Sequence, residues 1–194
     1  MDRTLEPELM DVATEVNAYA TADFREVNAR FVERALDKLD AHAQAIKDFT
    51  LLDVGCGPGD ITIAIARARP AWRVVGLDGS EPMLAIARAT AAGLANIEFV
   101  KGDAKAIEQP TNAYHAVISN SLLHHLPDPS GFWSAIASIV VPGGPLFIRD
   151  LRRPTNVAAA RQIVDQHAGG ESALLQEEFF RSLLAAFTVE EVEA

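Results

Sequence analysis

The chain has 194 residues, enough for one sizeable domain and short of two ordinary ones. Apolar residues make up 49% and charged residues 23%, which excludes wholesale disorder, and 17 Lys plus Arg against 27 Asp plus Glu leave a net charge of −10. No basic cluster exceeds Arg149, Arg152 and Arg153, so a nucleic-acid partner is not expected, and no apolar run approaches the ~18 residues of a membrane span.

The opening residues 1–11 are acidic and lack the order of a signal peptide, so a cytoplasmic single domain over 1–194 is expected. A short helix is predicted over residues 7–18. A longer amphipathic one follows over 22–47, with Phe24, Phe31, Ala35, Leu36, Leu39 and Ile46 on its apolar stripe. Together they make an N-terminal helical cap, residues 1–48.

The pattern changes at Thr50. Residues 51–54 form a short apolar run closed by Gly55, Gly57 and Gly59, which reads as a buried strand. Asp60 is the N-cap candidate for a helix over 61–68, stopped by Pro70. A second strand, 73–77, ends at Asp78. Ser80 caps a helix that runs to about Ala91, where Gly93 stops it. A third strand over 97–100 ends at Gly102 and Asp103, and a fourth spans 116–118. A helix over 132–141 ends at Pro142, and the Gly143-Gly144 turn leads into a fifth strand, 146–148. This alternation over residues 49–150 predicts an α/β, doubly wound, mainly parallel sheet with right-handed crossovers.

The last segment, 151–194, is helical again. One helix is predicted over 155–167 and another over 172–187, with Leu174, Leu175, Phe179, Leu183 and Phe187 inward. Thr188-Val189-Glu190-Glu191 has the form of a capping box. A helix opened so close to Ala194 suggests a natural or ancestral chain that continued.

In an open parallel sheet, ligands bind beyond the carboxyl ends of the strands where strand order reverses. The first strand runs there into Gly55-Cys56-Gly57-Pro58-Gly59-Asp60, a turn that lets a ligand approach the backbone. A dinucleotide fingerprint needs a third glycine at the sixth position, where this chain has Asp60. Asp53, Asp60, Asp78 and Asp103 all fall near the ends of the first three strands. Clustered carboxylates need cations or hydrogen-bond donors. S-adenosylmethionine brings a positive centre, an ammonium, ribose hydroxyls and an adenine amino group, whereas the phosphates of NAD would be repelled.

The motifs as a set resemble those of class I S-adenosylmethionine-dependent methyltransferases of the small-molecule type. The segments that carry the likeness are Leu51-Leu52-Asp53-Val54-Gly55-Cys56-Gly57-Pro58-Gly59, Gly76-Leu77-Asp78-Gly79-Ser80, Phe99-Val100-Lys101-Gly102-Asp103-Ala104, and Val117-Ile118-Ser119-Asn120 running on to Leu126. The resemblance implies a Rossmann-like sheet in the order 3-2-1-4-5, here without the hairpin that usually follows the fifth strand. It implies that Gly55, Gly57 and Gly59 line the methionine and ribose, with Asp53 reaching the ammonium through water or directly. Asp78, beside Gly79, would accept the ribose hydroxyls, and Met83 would cover an adenine face. Asp103 and the Ala104 backbone would meet the adenine amino group, and Asn120 or the backbone at Ser119 would lie under the methionine.

Plainer readings stand beside several of these. Asp60 is as well explained as a helix cap, and Met83 as a core side chain. Cys56 reads as a small packed hydrophobe, unable to make a disulfide alone. His124 and His125 titrate near neutrality and suit a general base, yet equally suit a loop fixture; they lack metal spacing, and no metal is expected. Arg149, Asp150, Arg152 and Arg153 either greet an anionic substrate or are solvated loop charges. Tyr19 and Phe24 are lid candidates or core.

The leading expectation is methyl transfer from S-adenosylmethionine to a small-molecule acceptor held by the terminal helices. A cofactor-binding protein without turnover and, more weakly, an NAD-linked oxidoreductase are the alternatives. An exposed fifth-strand edge would favour cover by the tail or by a second copy in a homodimer.

Overall fold

Five short apolar runs pair into one sheet. They are β1 (Thr50–Val54), β2 (Arg73–Asp78), β3 (Ile97–Lys101), β4 (Ala116–Asn120) and β5 (Leu146–Arg149), in the order β3-β2-β1-β4-β5. The computed structural model describes residues 1–193. These divide into two compact units, one of residues 23–120 with 129–148, the other of residues 1–22, 121–128 and 149–193.

In the first unit β1 runs parallel to both β2 and β4, with Leu52 opposite Val75 on one side and Val117 on the other. β2 and β3 are also parallel. The central strands are apolar without alternation because they are covered on both faces. Helices α2 (Arg25–Ala43), α3 (Asp60–Ala68), α4 (Glu81–Thr90) and α5 (Ser130–Ile139) belong to this unit. Phe31, Leu39, Phe49, Leu51, Ile65, Val74 and Ile118 share one core, in which the Phe49 and Trp72 rings lie 4.5 Å apart. Truncating Phe49 to Ala would cost roughly 3–5 kcal/mol by cavity formation. The order reverses between β1 and β4, which sets the ligand crevice at their carboxyl ends.

The second unit is helical: α1 (Ala13–Thr21), a 3-10 turn (Leu123–His125), α6 (Val157–Ala168), α7 (Ala173–Ala185) and α8 (Val189–Glu193). Ala160, Val164, Ala168, Phe180 and Leu183 form its core. Asn156 and Ser172 cap α6 and α7 by accepting from Ala159 and Leu175 amides at 2.9 and 3.3 Å. The expected capping box forms: Thr188 N donates to Glu191 at 2.9 Å, and Glu191 N donates to Thr188 Oγ1 at 3.3 Å.

Sheet order and strand placement match the sequence reading, and among the described residues no strand follows β5. The segmentation differs. Residues 1–22 group with the C-terminal helices, while α2 packs with the sheet core, so residues 1–48 do not form one cap. α1 begins at Ala13 instead of residue 7; nearer the N-terminus, Thr4 N donates to the Leu184 carbonyl at 3.1 Å, and Arg3 donates to the carbonyls of Ala185, Leu126 and Pro127. In α7 the inward residues are Phe180, Leu183 and Ala185, whereas Leu174 is exposed. Phe180 is held by the Arg161 guanidinium, 3.3 Å from its ring centre.

Candidate active site

The turn after β1 is built from left-handed glycines. Gly55, Gly57 and Gly59 have φ of 74°, 53° and 87°, a region L side chains rarely occupy. Amides of Gly55 and Cys56 both donate to the Leu77 carbonyl, at 2.8 and 3.1 Å, which fastens the turn to the end of β2. The glycines serve different ends. A Cβ on Gly59 would lie 2.9 Å from Ala87 Cβ and 3.0 Å from Phe99, so this glycine permits close packing of the turn. A Cβ on Gly57 would meet nothing within 4 Å, so this one faces open space.

Asp78 stands beside that space. Its Oδ2 accepts from Gly57 N at 2.7 Å and its Oδ1 from Ser80 N at 2.8 Å, with half-buried Gly79 between. Ser80 also caps α4, as expected, accepting from Met83 N at 3.4 Å. Met83 is buried on the inner face of α4 with Leu84 and Ala87. Gly102 N donates to the Asp78 carbonyl at 3.0 Å, which brings the β3 end alongside. There Asp103 is exposed, accepts from Lys105 N at 2.8 Å and pairs with the Lys105 ammonium at 3.3 Å. Ala104 next to it is half-buried.

Asp53 is not an open carboxylate. It is 2% exposed and accepts the Thr62 hydroxyl hydrogen from α3 at 2.6 Å. Burial, reinforced by the Asp78 charge and opposed by that hydrogen bond, pushes Asp53 up to about 7. At the β4 end Ser119 Oγ donates to the Val54 carbonyl at 2.7 Å, and Asn120 is half-buried beside it.

One expectation here changes. Asp60 is not the cap of α3: Gly59 occupies that position with no side-chain cap, and Asp60 is the helix's exposed first residue. The left-handed φ of Gly59 makes the entry, so no capping side chain is needed. The four acids differ in environment. Asp53 and Asp78 interact, while Asp60 and Asp103 are exposed. Cys56 is buried, and burial pushes its thiol well up, as expected for a packed hydrophobe.

The helical unit contains a second polar cluster that no sequence spacing announced. His124 is buried, with Nδ1 2.5 Å from Asp150 Oδ1 and Nε2 3.4 Å from Glu6 Oε1. His125 Nδ1 lies 3.1 Å from the same Glu6 oxygen and 3.2 Å from the Pro7 carbonyl. Burial, then the His124 charge, holds His125 down at about 4, and burial raises Glu6. Asp150 is neither a substrate-greeting nor a solvated charge, since it also accepts from Leu123 and Leu151 amides at 2.6 and 2.7 Å. Arg153 is likewise engaged, with Glu191 at 2.5 Å, and exposed Arg152 alone fits the solvated description. Tyr19 and Phe24 fall in different units, both half-buried.

Residues 51–144 match the family model described as a methyltransferase domain. This match lies on the α/β core and covers just under half of the chain. The same core carries the sequence likeness to curated relatives. A ubiquinone biosynthesis O-methyltransferase of Sinorhizobium fredii is 32% identical over 117 residues, covering 60% of this chain and 46% of that one. A demethylmenaquinone methyltransferase of Staphylococcus aureus is 33% identical over 105 residues, 54% of this chain and 44% of that one. The chain thus spans about half the length of the curated relatives it matches. Among solved structures, the plantazolicin methyltransferase BpumL, in complex with a pentazolic desmethylPZN analog and SAH, superposes with a TM-score of 0.74 at 18% identity. It covers 94% of this chain and 68% of its own, a likeness of fold.

Proposed function

We propose that this methyltransferase domain binds S-adenosylmethionine in the crevice beyond β1, β2 and β4 and transfers its methyl group to a small-molecule acceptor. The observation that carries the reading is the pairing of Gly57 and Asp78: open space over a left-handed glycine, beside a carboxylate oriented by two amides. A carboxylate accepts up to about four hydrogens, which suits vicinal ribose hydroxyls. The same space is poorly suited to a pyrophosphate, because the amide of Gly57 that would meet it already donates to an anion.

In this proposal the Gly55, Gly57 and Gly59 backbone lies along methionine and ribose. Asp78, with Gly79, takes the ribose hydroxyls, and Met83 lies beside the adenine. Asp103, which shares its carboxylate with Lys105, and the Ala104 backbone meet the adenine amino group. Asp53, buried as it is, acts on the ammonium through water, and Asn120 lies beneath the methionine. When bound, the cofactor supplies a methyl group on a cationic sulfur. The protein's own part is alignment and exclusion of water. The proposal assigns His124 and His125 no proton transfer, because His124 has both ring nitrogens engaged and His125 is held by Glu6 and Pro7.

The quinone-biosynthesis names of the relatives support a small organic acceptor. Incubation with S-adenosylmethionine and a series of phenolic and quinol-type acceptors is expected to release the demethylated cofactor in an acceptor-dependent manner. Tight binding of S-adenosylmethionine with no turnover on any acceptor would favour a binding protein, and hydride transfer with NAD would overturn the reading.

A further inference from the structure

Glu6, His124 and His125 each offer one ligand atom, and the three atoms lie within 4.8 Å of one another. We infer that these residues form a divalent transition-metal site, zinc being the best-suited ion, inside the helical unit. The inference is independent of methyl transfer and rests on different residues.

Spacing is the first support. Tetrahedral zinc with bonds of about 2.0–2.1 Å places its ligand atoms about 3.3 Å apart. Glu6 Oε1 is 3.4 Å from His124 Nε2 and 3.1 Å from His125 Nδ1. Two imidazoles and one carboxylate form a donor set that suits zinc over magnesium or calcium, and three protein ligands leave a fourth position for water.

The outer partners are the second support. A metal-binding imidazole usually donates its other N–H to a carboxylate, which fixes tautomer and ring orientation. Asp150 Oδ1 stands 2.5 Å from His124 Nδ1, and Leu123 and Leu151 amides hold that carboxylate in place. On the other ligand, the Ser182 hydroxyl donates to Glu6 at 3.2 Å. The Glu6 and His124 side chains are 5% and 4% exposed, so this constellation is fixed by packing.

Backbone anchoring brings Glu6 to the turn. Arg3 donates to the carbonyls of His124 and Leu126 at 3.0 and 2.7 Å and stacks over Phe187. Its positive charge opposes a cation on this turn, and the carboxylates of Glu6 and Asp150 offset it.

The test is zinc chloride titrated into the chelator-treated 194-residue chain, read by calorimetry and by the melting temperature, with bound zinc counted after gel filtration. The expected result is one zinc per chain and a raised melting temperature. Affinity should fall at least tenfold in Glu6→Gln and His125→Ala, and about 10–100-fold in Asp150→Asn, which removes no ligand. His167→Ala, an exposed histidine of α6, should bind as the wild type does. Circular dichroism establishes that each variant is folded. Absence of saturable binding, or zinc affinity unchanged in folded Glu6→Gln, would overturn the inference.

Discussion

The amide of Gly57 donates to Asp78 Oδ2 across 2.7 Å, joining the turn after β1 to the last residue of β2. This bond couples a conformational requirement to a chemical one. The turn holds its left-handed shape, and the carboxylate is oriented before any ligand arrives.

Replacing Asp78 with Ala is therefore expected to weaken S-adenosylmethionine binding by about 1.5–3 kcal/mol, the range for hydrogen bonds to a charged group. That corresponds to a loss of roughly tenfold to a hundredfold in affinity. Calorimetric titration measures it, and thermal melting should show a smaller loss of stability from the freed turn.

Gly57→Ala and Gly59→Ala should separate stability from binding. At Gly59 the added Cβ meets Ala87 and Phe99 at a φ of 87°, so the cost is expected in folding, of order 1–3 kcal/mol. At Gly57 only the left-handed backbone is penalised, by about 1–2 kcal/mol, and the methyl enters the ligand's space. Urea unfolding and ligand titration of both variants check the contrast: Gly57→Ala should lose more affinity relative to stability.

Asp53 predicts a pH dependence. Its folded value is raised to about 7 from an ordinary 3.8, so in that window the folded chain holds a proton that the unfolded chain has released. Stability from this group is full below about pH 4 and falls as pH rises towards about 7, by at most about 1.4 kcal/mol per unit. Asp53→Asn should flatten this component in unfolding experiments between those limits. Cofactor binding near pH 6 should release a proton in the wild type only, seen as a buffer-dependent heat.

Asp150→Ala strips a partner from His124 and from the amides of Leu123 and Leu151 at a side chain only 12% exposed. A loss of about 3 kcal/mol in unfolding free energy is expected, because buried donors are left unpaired. A change within 0.5 kcal/mol, the scale of an ordinary surface substitution, would contradict the buried geometry.

The α/β core was legible because each strand is an apolar run, four of the five end at or run into glycine or aspartate, and each break is local. Ser80 and the Thr188–Glu191 box were readable for the same reason, since a cap lies within a few residues of the amide it serves. Asp60 misled because a carboxylate before an apolar run looks like a cap, whereas the left-handed Gly59 makes the entry. In α7 the expected inward residues Phe179 and Leu183 do pack on the core, and the adjacent Phe180, which the apolar spacing passes over, is the more deeply buried ring. Nothing local joins Glu6, His124 and Asp150. Their meeting joins distant segments, where Arg3 and Thr4 donate to carbonyls of His124, Leu126, Pro127, Leu184 and Ala185.

The most direct test of the central claim is titration of the purified chain with S-adenosylhomocysteine, alongside NAD as a control. The account predicts saturable one-to-one binding of the nucleoside, weakened at least tenfold by Asp78→Ala, with no heat from NAD. Binding of NAD alone, or of S-adenosylhomocysteine with equal affinity to wild type and Asp78→Ala, would contradict it.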